Sequence, residues 1–322
     1  MNAFMKNLIR IAFIFIGVGI FLVLIAYGKN RSIFDQFATE GYSLFGYNTD
    51  WSEAEGEEDG DWDTSDTNEQ GTLDGGNLVH PNREDNVTEL DVNIIAGTVS
   101  IIEGDEFNIQ VNSIGAQRVS SEYSNGIWTI EDTSKSNSDD NTISIFGIPL
   151  NSESINKNIS RIKIFIPKDF NGKKISLKCG AGAITVDSLS ADLVSVSVGA
   201  GSCRIDKLTA GEKSDFTVGA GEIVINNLTG YNASFDGSMG SIYVKGILKG
   251  NISATCSMGT IELNLEGQLK DYNYSGRCNM GTVTVNDSGY TGVSQNFKKD
   301  NNADNEININ CNMGTVSLKI SD

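Results

Sequence analysis

The chain has 322 residues, a net charge of −18, 35 glycines, three prolines and a single histidine, His80. The negative charge argues against a nucleic-acid partner, because phosphate binding requires clustered lysine and arginine. One histidine leaves no room for most acid–base triads and most zinc sites. The length accommodates one large domain or two small ones once any targeting segment is set apart.

The first 31 residues predict a transmembrane anchor. Ile11–Tyr27 is a run of 17 residues without a charge, and about 17 to 25 apolar residues cross a bilayer core as a helix. A cleaved signal peptide is the alternative, although residues 26–28 form a poor cleavage site. Two basic residues precede the span and two follow it, so the positive-inside rule does not decide the orientation.

Residues 32–86 predict a juxtamembrane segment followed by an acidic, disordered linker. Between Arg31 and Arg83 there are 13 aspartates and glutamates and no lysine or arginine. Such a segment buries too little apolar surface to offset the entropy lost on ordering. Asp59, Asp61 and Asp63 alternate as in a calcium loop, but Thr64 stands where the turn requires glycine. No metal site is expected there.

A repeat marked by glycine dominates residues 87–322. Its glycine column is Gly97, Gly182, Gly201, Gly221, Gly240, Gly259, Gly281 and Gly314. From Gly182 to Gly259 the spacing is 19 or 20 residues, and the last two intervals are 22 and 33 residues. The longest interval contains a polar insertion, Gly289–Glu306, with the composition of a loop.

Apolar and polar residues alternate on both sides of each glycine. Alternation with a period of two predicts β-strands, and a slip of phase at the glycine predicts a corner. Coils of about 20 residues predict a β-solenoid, in which consecutive coils stack as parallel strands about 4.8 Å apart. A further inward position is expected seven residues after the glycine, at Leu189, Leu208, Leu228 and Ile247.

Three coils carry nearly the same six residues. "CSMGTI" occupies Cys256–Ile261, and "CNMGTV" occupies both Cys278–Val283 and Cys311–Val316. We predict that these cysteines are buried, free thiols that act as small hydrophobes. We also expect the methionines beside them to point inward and fill a widening core. A metal or redox ladder is the alternative, but it lacks a CxxC pair and a histidine.

Residues 102–170 contain strand patterns without the glycine mark. These patterns are Phe107–Val111, Ile127–Asp132, Ile143–Leu150 and Arg161–Phe170. "SNG" at Ser124–Gly126 is typical of a hairpin turn. We therefore predict a partly antiparallel end that covers the exposed edge of the solenoid.

The segment "IFIPKDF" (Ile164–Phe170), followed by the glycine-marked repeats, resembles the bacterial putative-adhesin family of β-strand-repeat proteins over Val87–Asp322. The resemblance implies an all-β solenoid that is often preceded by a membrane span and is linked in some members with envelope stress. The family carries no catalytic residues that could be transferred. No catalytic, cofactor-binding or metal residues are therefore expected.

The predicted organisation is an anchor (1–31), a linker (32–86) and a β-solenoid (87–322). The predicted function is a membrane-tethered, extracytoplasmic binding, adhesion or envelope-sensing module at the cell membrane, without catalysis. Its expected partners are the lipid bilayer and an envelope glycan or envelope protein. One alternative is a rod that self-assembles like a bactofilin-type β-helix. A second is a β-helical polysaccharide-active enzyme, although its coils leave few loops to wall a catalytic site.

Overall fold

The computed structural model describes residues 78–82, 85–112, 118–132, 144–145, 148–149, 160–291 and 293–321, and most of these residues lie in β-strands. The first nine strands are β1 (Glu89–Ile94), β2 (Gly97–Gly104), β3 (Asn108–Val111), β4 (Val119–Ser124), β5 (Ile127–Asp132), β6 (Ser144–Ile145), β7 (Ile148–Pro149), β8 (Ser160–Pro167) and β9 (Gly172–Cys179).

The remaining strands carry the glycine-marked repeats. They are β10 (Ala183–Val198), β11 (Ser202–Val218), β12 (Glu222–Tyr231), β13 (Ala233–Gly237), β14 (Ser241–Lys249), β15 (Asn251–Cys256), β16 (Thr260–Glu266), β17 (Tyr272–Cys278), β18 (Thr282–Val285), β19 (Ser288–Thr291), β20 (Gln295–Lys299), β21 (Asn305–Cys311) and β22 (Thr315–Ser321). A short 3-10 turn spans Leu269–Asp271.

Each coil contributes one strand to each of two mainly parallel sheets. Sheet A, which follows the glycine column, has the order β3-β8-β2-β10-β11-β12-β14-β16-β22-β18-β19. Sheet B, which precedes the column, has the order β4-β5-β1-β9-β10-β11-β13-β15-β21-β17-β20. Because β10 and β11 bend through both sheets, the pairing network closes on itself. The all-β solenoid is confirmed.

The core lies between the two sheets and is built from stacked columns of apolar side chains. The residues two and four positions after the glycine are buried in every glycine-marked coil. Phe216 and Phe235 stack in adjacent coils with ring centroids 5.2 Å apart. At the N-terminal end the fully buried Trp128 meets Phe107 edge to face at 5.8 Å. Continuous apolar burial along the stack is the dominant stabilising term.

The glycine column exists because adjacent coils touch through their backbones. A Cβ atom on Gly182 would overlap the carbonyl oxygen of Gly97, and one on Gly259 would overlap that of Gly240. None of the column glycines adopts a positive φ. Glycine can be required at a corner either because φ is positive or because another backbone approaches closely. In this column the close approach of the neighbouring coil's backbone is the reason.

Every column Cβ would point toward the N-terminal end of the stack, where one coil has serine instead of glycine at its corner. Gly97 lies on Ser160, so the coil closed by β5 and β8 occupies the outermost position. Among the described residues no coil lies on the far side of this corner, and its residue is a serine whose side chain is fully buried. Within the described residues, the coils named by their corner residue therefore stack in the order Ser160, Gly97, Gly182, Gly201, Gly221, Gly240, Gly259, Gly314 and Gly281.

Spatial order departs from chain order at both ends. The chain builds the Gly97 coil before the outer Ser160 coil, and it builds the outer Gly281 coil before returning to fill the gap with the Gly314 coil. The expectation that the three cysteine coils stack in chain order is therefore wrong. Cys311 lies between Cys256 and Cys278.

Antiparallel strands cover both ends. β3 and β4 pair with β8 and β5 at one end, and the "SNG" hairpin has positive φ at Asn125 and Gly126 as expected for a tight turn. At the other end the insertion forms β19 and β20, which pair with β18 and β17. The predicted antiparallel N-terminal end is confirmed, whereas the interpretation of the C-terminal insertion as a plain loop is wrong.

Two inward assignments are also wrong. The methionines at positions 239, 258, 280 and 313 are more than half exposed, because the residue before the glycine lies at the outer tip of the corner. Ile247 is exposed and Leu248 is buried instead. At this point the pairing of β12 with β14 shifts by one residue, and Gly246 has a φ of 148°.

The predicted anchor, the acidic linker up to residue 77 and the Asp59–Asp63 pattern lie outside the described residues. Within the part of the chain that is described, no helix has the length and apolar character needed to cross a membrane.

Candidate binding face

The outer surface of sheet B is a flat array of short polar side chains. One outward column runs, in spatial order, through Asp91, Ser176, Ser195, Asp215, Ser234, Ser253, Asn308 and Ser275. The neighbouring column contains Asn93, Lys178, Ser197, Thr217, Asp236, Thr255, Asn310 and Arg277. Because parallel strands repeat about every 4.8 Å, equivalent polar groups recur at that interval along the stack.

An open groove of about 610 Å³ crosses four consecutive coils of this face. It is lined by Lys213, Asp215, Asn232, Ala233, Ser234, Asn251, Ile252, Ser253, Glu306 and Asn308. The buried residues Ala233 and Ile252 form part of its floor, and the other lining residues are polar. A wide, polar, open groove suits an extended polar ligand better than a small apolar one.

Backbone and side-chain hydrogen bonds orient the polar groups of the groove. The Asn232 amide oxygen accepts a bond from the Asn251 backbone N–H at 3.0 Å, and its nitrogen donates to the Glu212 carbonyl at 3.2 Å. The Ser253 hydroxyl donates to the Ser234 hydroxyl at 3.0 Å. Groups that are fixed before binding lose less entropy when a ligand arrives.

Two charged groups at one edge of the groove satisfy each other. The Lys213 ammonium lies 2.8 Å from the Asp215 carboxylate, and both side chains are well exposed. An exposed pair of this kind contributes less than about 1 kcal/mol to stability. It can therefore open at little cost when a ligand presents its own hydrogen-bonding groups.

An exposed aromatic ring lies beside this groove. Tyr231 is 48% exposed, and it immediately precedes Asn232. Its ring lies against Gly250, where a Cβ atom would come within 3.0 Å of the ring carbons and where φ is 76°. Glycine at this position leaves room for the ring next to Asn251, one of the groove residues. Tyrosine in such a place offers an apolar face and a polar tip to a ligand.

A smaller depression of about 220 Å³ lies near the N-terminal end. Its lining includes Asp85, Asp169 and the partly buried Phe170, whose ring meets Phe107 edge to face at 5.5 Å. These aromatic rings serve the end of the core, so the groove on sheet B is the better candidate for binding.

The Asp187 carboxyl lies close to two other acidic side chains, those of Asp206 and Glu103. Burial raises the pKa of the Asp187 carboxyl, the Glu103 backbone N–H opposes that effect, and the Asp206 and Glu103 charges add to it. Among the described residues, no group of three or more histidine, cysteine, aspartate or glutamate side chains could hold a metal ion.

The five cysteines are free and buried in the described structure, as predicted. Burial raises the pKa of the thiols of Cys179 and Cys256, and it raises that of Cys311 to about 11. These thiols are therefore protonated at neutral pH and slow to react.

Sequence reasoning did not find the groove, because the groove depends on the exchange of coils at the C-terminal end. Glu306 lies beside Asn251, and Asn308 lies beside Ser253, although each pair is separated by 55 residues in the chain. The only sequence sign was the general polarity of the outward columns. Tyr231 occupies none of the aligned positions of the repeat, so the repeat pattern did not single it out.

Several solved structures resemble this chain, among them the following two. One is a putative cell adhesion protein from Clostridium sporogenes ATCC 15579, with 13% identity, a TM-score of 0.29, and coverage of 76% of this chain and 96% of the other. The second is a putative adhesin from Bacteroides fragilis NCTC 9343, with 12% identity, a TM-score of 0.35, and coverage of 75% and 96%. Likeness this distant carries no weight for function.

No curated protein matches the chain. The Toastrack DUF4097 family model matches residues 87–319, which include the outer coils at both ends and the column of corner glycines. The expected resemblance to adhesin-like β-strand-repeat proteins is thereby confirmed: the chain belongs to the Toastrack DUF4097 family.

Proposed function

We propose that this protein is a non-catalytic binding module, tethered to the membrane through Ile11–Tyr27, whose solenoid lies outside the cytoplasm and engages a polar partner through the groove on sheet B. The observation that carries the proposal is the groove itself, with its oriented amides and hydroxyls and the exposed ring of Tyr231 at its edge.

The chemistry of the groove favours an envelope glycan as the partner. Sugars present hydroxyl groups that can exchange hydrogen bonds with Asn232, Asn251 and Ser253, and apolar ring faces that can stack on Tyr231. The strongly acidic chain disfavours polyanions such as nucleic acid. Adhesion and envelope sensing are both consistent with a tethered module of this kind.

The self-assembling rod is the less favoured function because both ends of the stack are covered. At the C-terminal end the outermost strand of sheet B is antiparallel β20, which carries the exposed Lys298 and Lys299. At the N-terminal end Val79 donates a backbone hydrogen bond to Ser121 of β4. Covered or charged edges oppose strand addition by another copy.

A polysaccharide-active enzyme is also less favoured. Such enzymes pair two carboxylic acids, or a carboxylate with a base, across the scissile bond. The groove holds two carboxylates, Asp215 and Glu306, but they lie on strands three positions apart. That separation is about 14 Å by strand spacing, more than the roughly 5 to 9.5 Å that the paired acids of such enzymes need. The single histidine of the chain lies elsewhere, beside Pro81.

The binding proposal can be tested with the full-length chain and soluble peptidoglycan fragments released by a muramidase. We expect calorimetry to detect binding, and we expect Tyr231→Ala and Asn251→Ala to weaken it about tenfold, the effect of losing one stacking or hydrogen-bonding contact. Tyr243→Ala is the matched control, because Tyr243 lies on sheet A. Equal binding by all three variants would refute the groove as the site.

The orientation can be tested by thiol labelling of intact cells. In a cysteine-free version of the chain, Asn302→Cys places a thiol in an exposed turn near the C-terminal cap. A membrane-impermeant maleimide should label it without lysis. Labelling that requires lysis would place the solenoid in the cytoplasm and favour the self-assembling rod.

A further inference from the structure

The structure separates the two kinds of sulfur in the corner sequence. In each of the three copies the cysteine side chain points into the core, and the methionine two residues later lies at the outer tip of the corner. Four of the six methionines in the chain occupy this column. Met239, Met258, Met313 and Met280 are 57%, 52%, 52% and 65% exposed, in spatial order.

These four residues form a continuous surface feature, which we call the methionine ridge. The backbone N–H of Met258, Met313 and Met280 each donates at 2.7 Å to the carbonyl of the neighbouring coil's corner. The ridge therefore has a fixed backbone and a repeat of about 4.8 Å. At the cap, the antiparallel register of β17 with β20 and of β18 with β19 places Val293, which is also highly exposed, opposite Met280.

Within the four coils of the ridge, the two columns that flank the methionines carry no charge. The column on one side contains Ser238, Ser257, Asn312 and Asn279, and the column on the other contains Ser241, Thr260, Thr315 and Thr282. Hydroxyl and amide groups can donate hydrogen bonds to an oxygen placed on a neighbouring sulfur. They leave the approach open to small neutral oxidants, although the protein as a whole is strongly acidic.

We propose that the methionine ridge is a site of oxidative modification by peroxides, with methionine sulfoxide as the product. The Sδ lone pair of an exposed thioether attacks one oxygen of the peroxide, a sulfur–oxygen bond forms and the oxygen–oxygen bond breaks. The oxygen bound to sulfur gives up its proton, and the second oxygen takes up that proton, directly or through water, and leaves as water or an alcohol. The thioether loses two electrons and the peroxide gains them.

The fold directs this reaction to the thioethers and away from the thiols. A cysteine reacts as its thiolate, and all five thiols are buried out of contact with solvent. A thioether needs no deprotonation, so exposure governs its reaction. Oxidation converts an apolar ridge into a polar one and leaves the cysteine column in the core intact. The ridge thus changes its surface character without unfolding the solenoid.

The test is peptide mass mapping of the full-length chain treated with hydrogen peroxide, native and in urea. We expect the four ridge methionines to gain one oxygen at rates within about threefold of those in urea, because their sulfurs are exposed in both states. The five cysteines should react in urea and stay unmodified in the native chain. Native cysteine oxidation, or ridge methionines protected more than about tenfold, would overturn the proposal.

A variant with all four ridge methionines changed to leucine is the control for surface character. Oxidation should shorten the retention of the wild-type chain on a hydrophobic-interaction column, should leave that of the leucine variant unchanged, and should leave the unfolding midpoint of both unchanged. Loss of the folded state on oxidation would contradict the proposal, because the ridge would then be part of the structural core. This inference does not depend on the glycan-binding function.

Discussion

The middle coils and the two ends of the solenoid are built from the same repeat but follow different rules. From the Gly182 coil to the Gly259 coil, each coil lies on the one before it in the chain. At the N-terminal end the chain builds the Gly97 coil, then the cover strands and the outermost coil, and only then continues on the other side of the Gly97 coil. At the C-terminal end it skips a position, builds the outermost coil and its antiparallel cover, and then returns to the skipped level. A repeat thus determines which residues align, whereas insertions determine which coils are neighbours.

The exchange has a physical rationale at each end. A bare last coil would expose a row of unpaired backbone groups and the open end of the core. Antiparallel strands can cover that edge. At the C-terminal end β19 and β20 follow the outermost coil directly, whereas at the N-terminal end β3 and β4 precede it in the chain. At the C-terminal end Tyr290 and Phe297 of the cover stack with their ring centroids 4.2 Å apart and help to close the core.

The first way to test the contrast is to remove one aromatic ring from the middle and one from the cover. Phe235→Ala should cost about 4 kcal/mol of unfolding free energy, because the ring is fully buried against Phe216. Phe297→Ala should cost about 2 kcal/mol, because only one side of the ring meets a coil. Urea unfolding measures both values. Equal losses would mean that the cover is as deeply integrated as the middle.

The second test adds a methyl group to a glycine in each region. Gly259→Ala should cost about 2 kcal/mol or more, because the new Cβ would overlap the Gly240 carbonyl and the coils would have to separate. Gly289→Ala in β19 is the matched control, since a Cβ atom there meets nothing within 4 Å. Its effect should stay within about 0.5 kcal/mol. Similar unfolding midpoints for the two variants would show that the corner contact is not limiting.

The third test compares the thiols of the middle with those beside the cover. Alkylation at pH 8 should label none of the five cysteines in the native chain and all five after unfolding without reductant. If the cover opens more often than the middle, Cys278 in the outermost coil should be the first to react. Fewer than five labels after unfolding would reveal a disulfide. Early labelling of Cys203 would show that the middle is the less stable region.

The smallest expected effect concerns Asp187 in the middle coils. Burial, the first cause, raises its folded pKa above the usual value near 3.8. The folded state therefore holds its proton more tightly than the unfolded state. Stability falls as pH rises through the interval between the two pKa values and stays lower above it. Asp187→Asn should raise the unfolding midpoint by about 1 °C at pH 7 and leave it unchanged at pH 3. An equal shift at both pH values would exclude titration of Asp187 as the cause.

The sequence was sufficient for the solenoid, its strand periodicity, its inward cysteines and the antiparallel N-terminal end. Period-two alternation and regular glycine spacing report directly on strands and corners. The outermost N-terminal coil escaped detection because Ser160 replaces the marker glycine at its corner. The methionines were wrongly assigned to the core because the early coils have alanine at the same repeat position. Alanine occurs both at exposed corner tips and in tightly packed cores, so it does not distinguish the two.

The order of the coils and the candidate groove could not be predicted for a common reason. Aligned repeats are interchangeable by sequence, since "CSMGTI" and both copies of "CNMGTV" fit any level of the stack. Only the pairing of β15 with β21 brings Glu306 beside Asn251 and completes the groove. Which strands pair after an insertion depends on the total stability of the C-terminal coils together with their antiparallel cover. The residues of one repeat position alone cannot predict that stability.

The most direct test of the exchanged order is the dipolar broadening of spin labels placed at pairs of corner positions in a cysteine-free chain. Thr260 pairs with Thr315, and Thr315 pairs with Thr282, whereas Thr260 and Thr282 are two levels apart. Backbone separations of about 5 Å and about 10 Å follow from the strand spacing. We expect strong broadening for the pairs 260/315 and 315/282 and weak broadening for 260/282. Strong broadening for 260/282 with weak broadening for 260/315 would show that the coils stack in chain order and would contradict the fold described above.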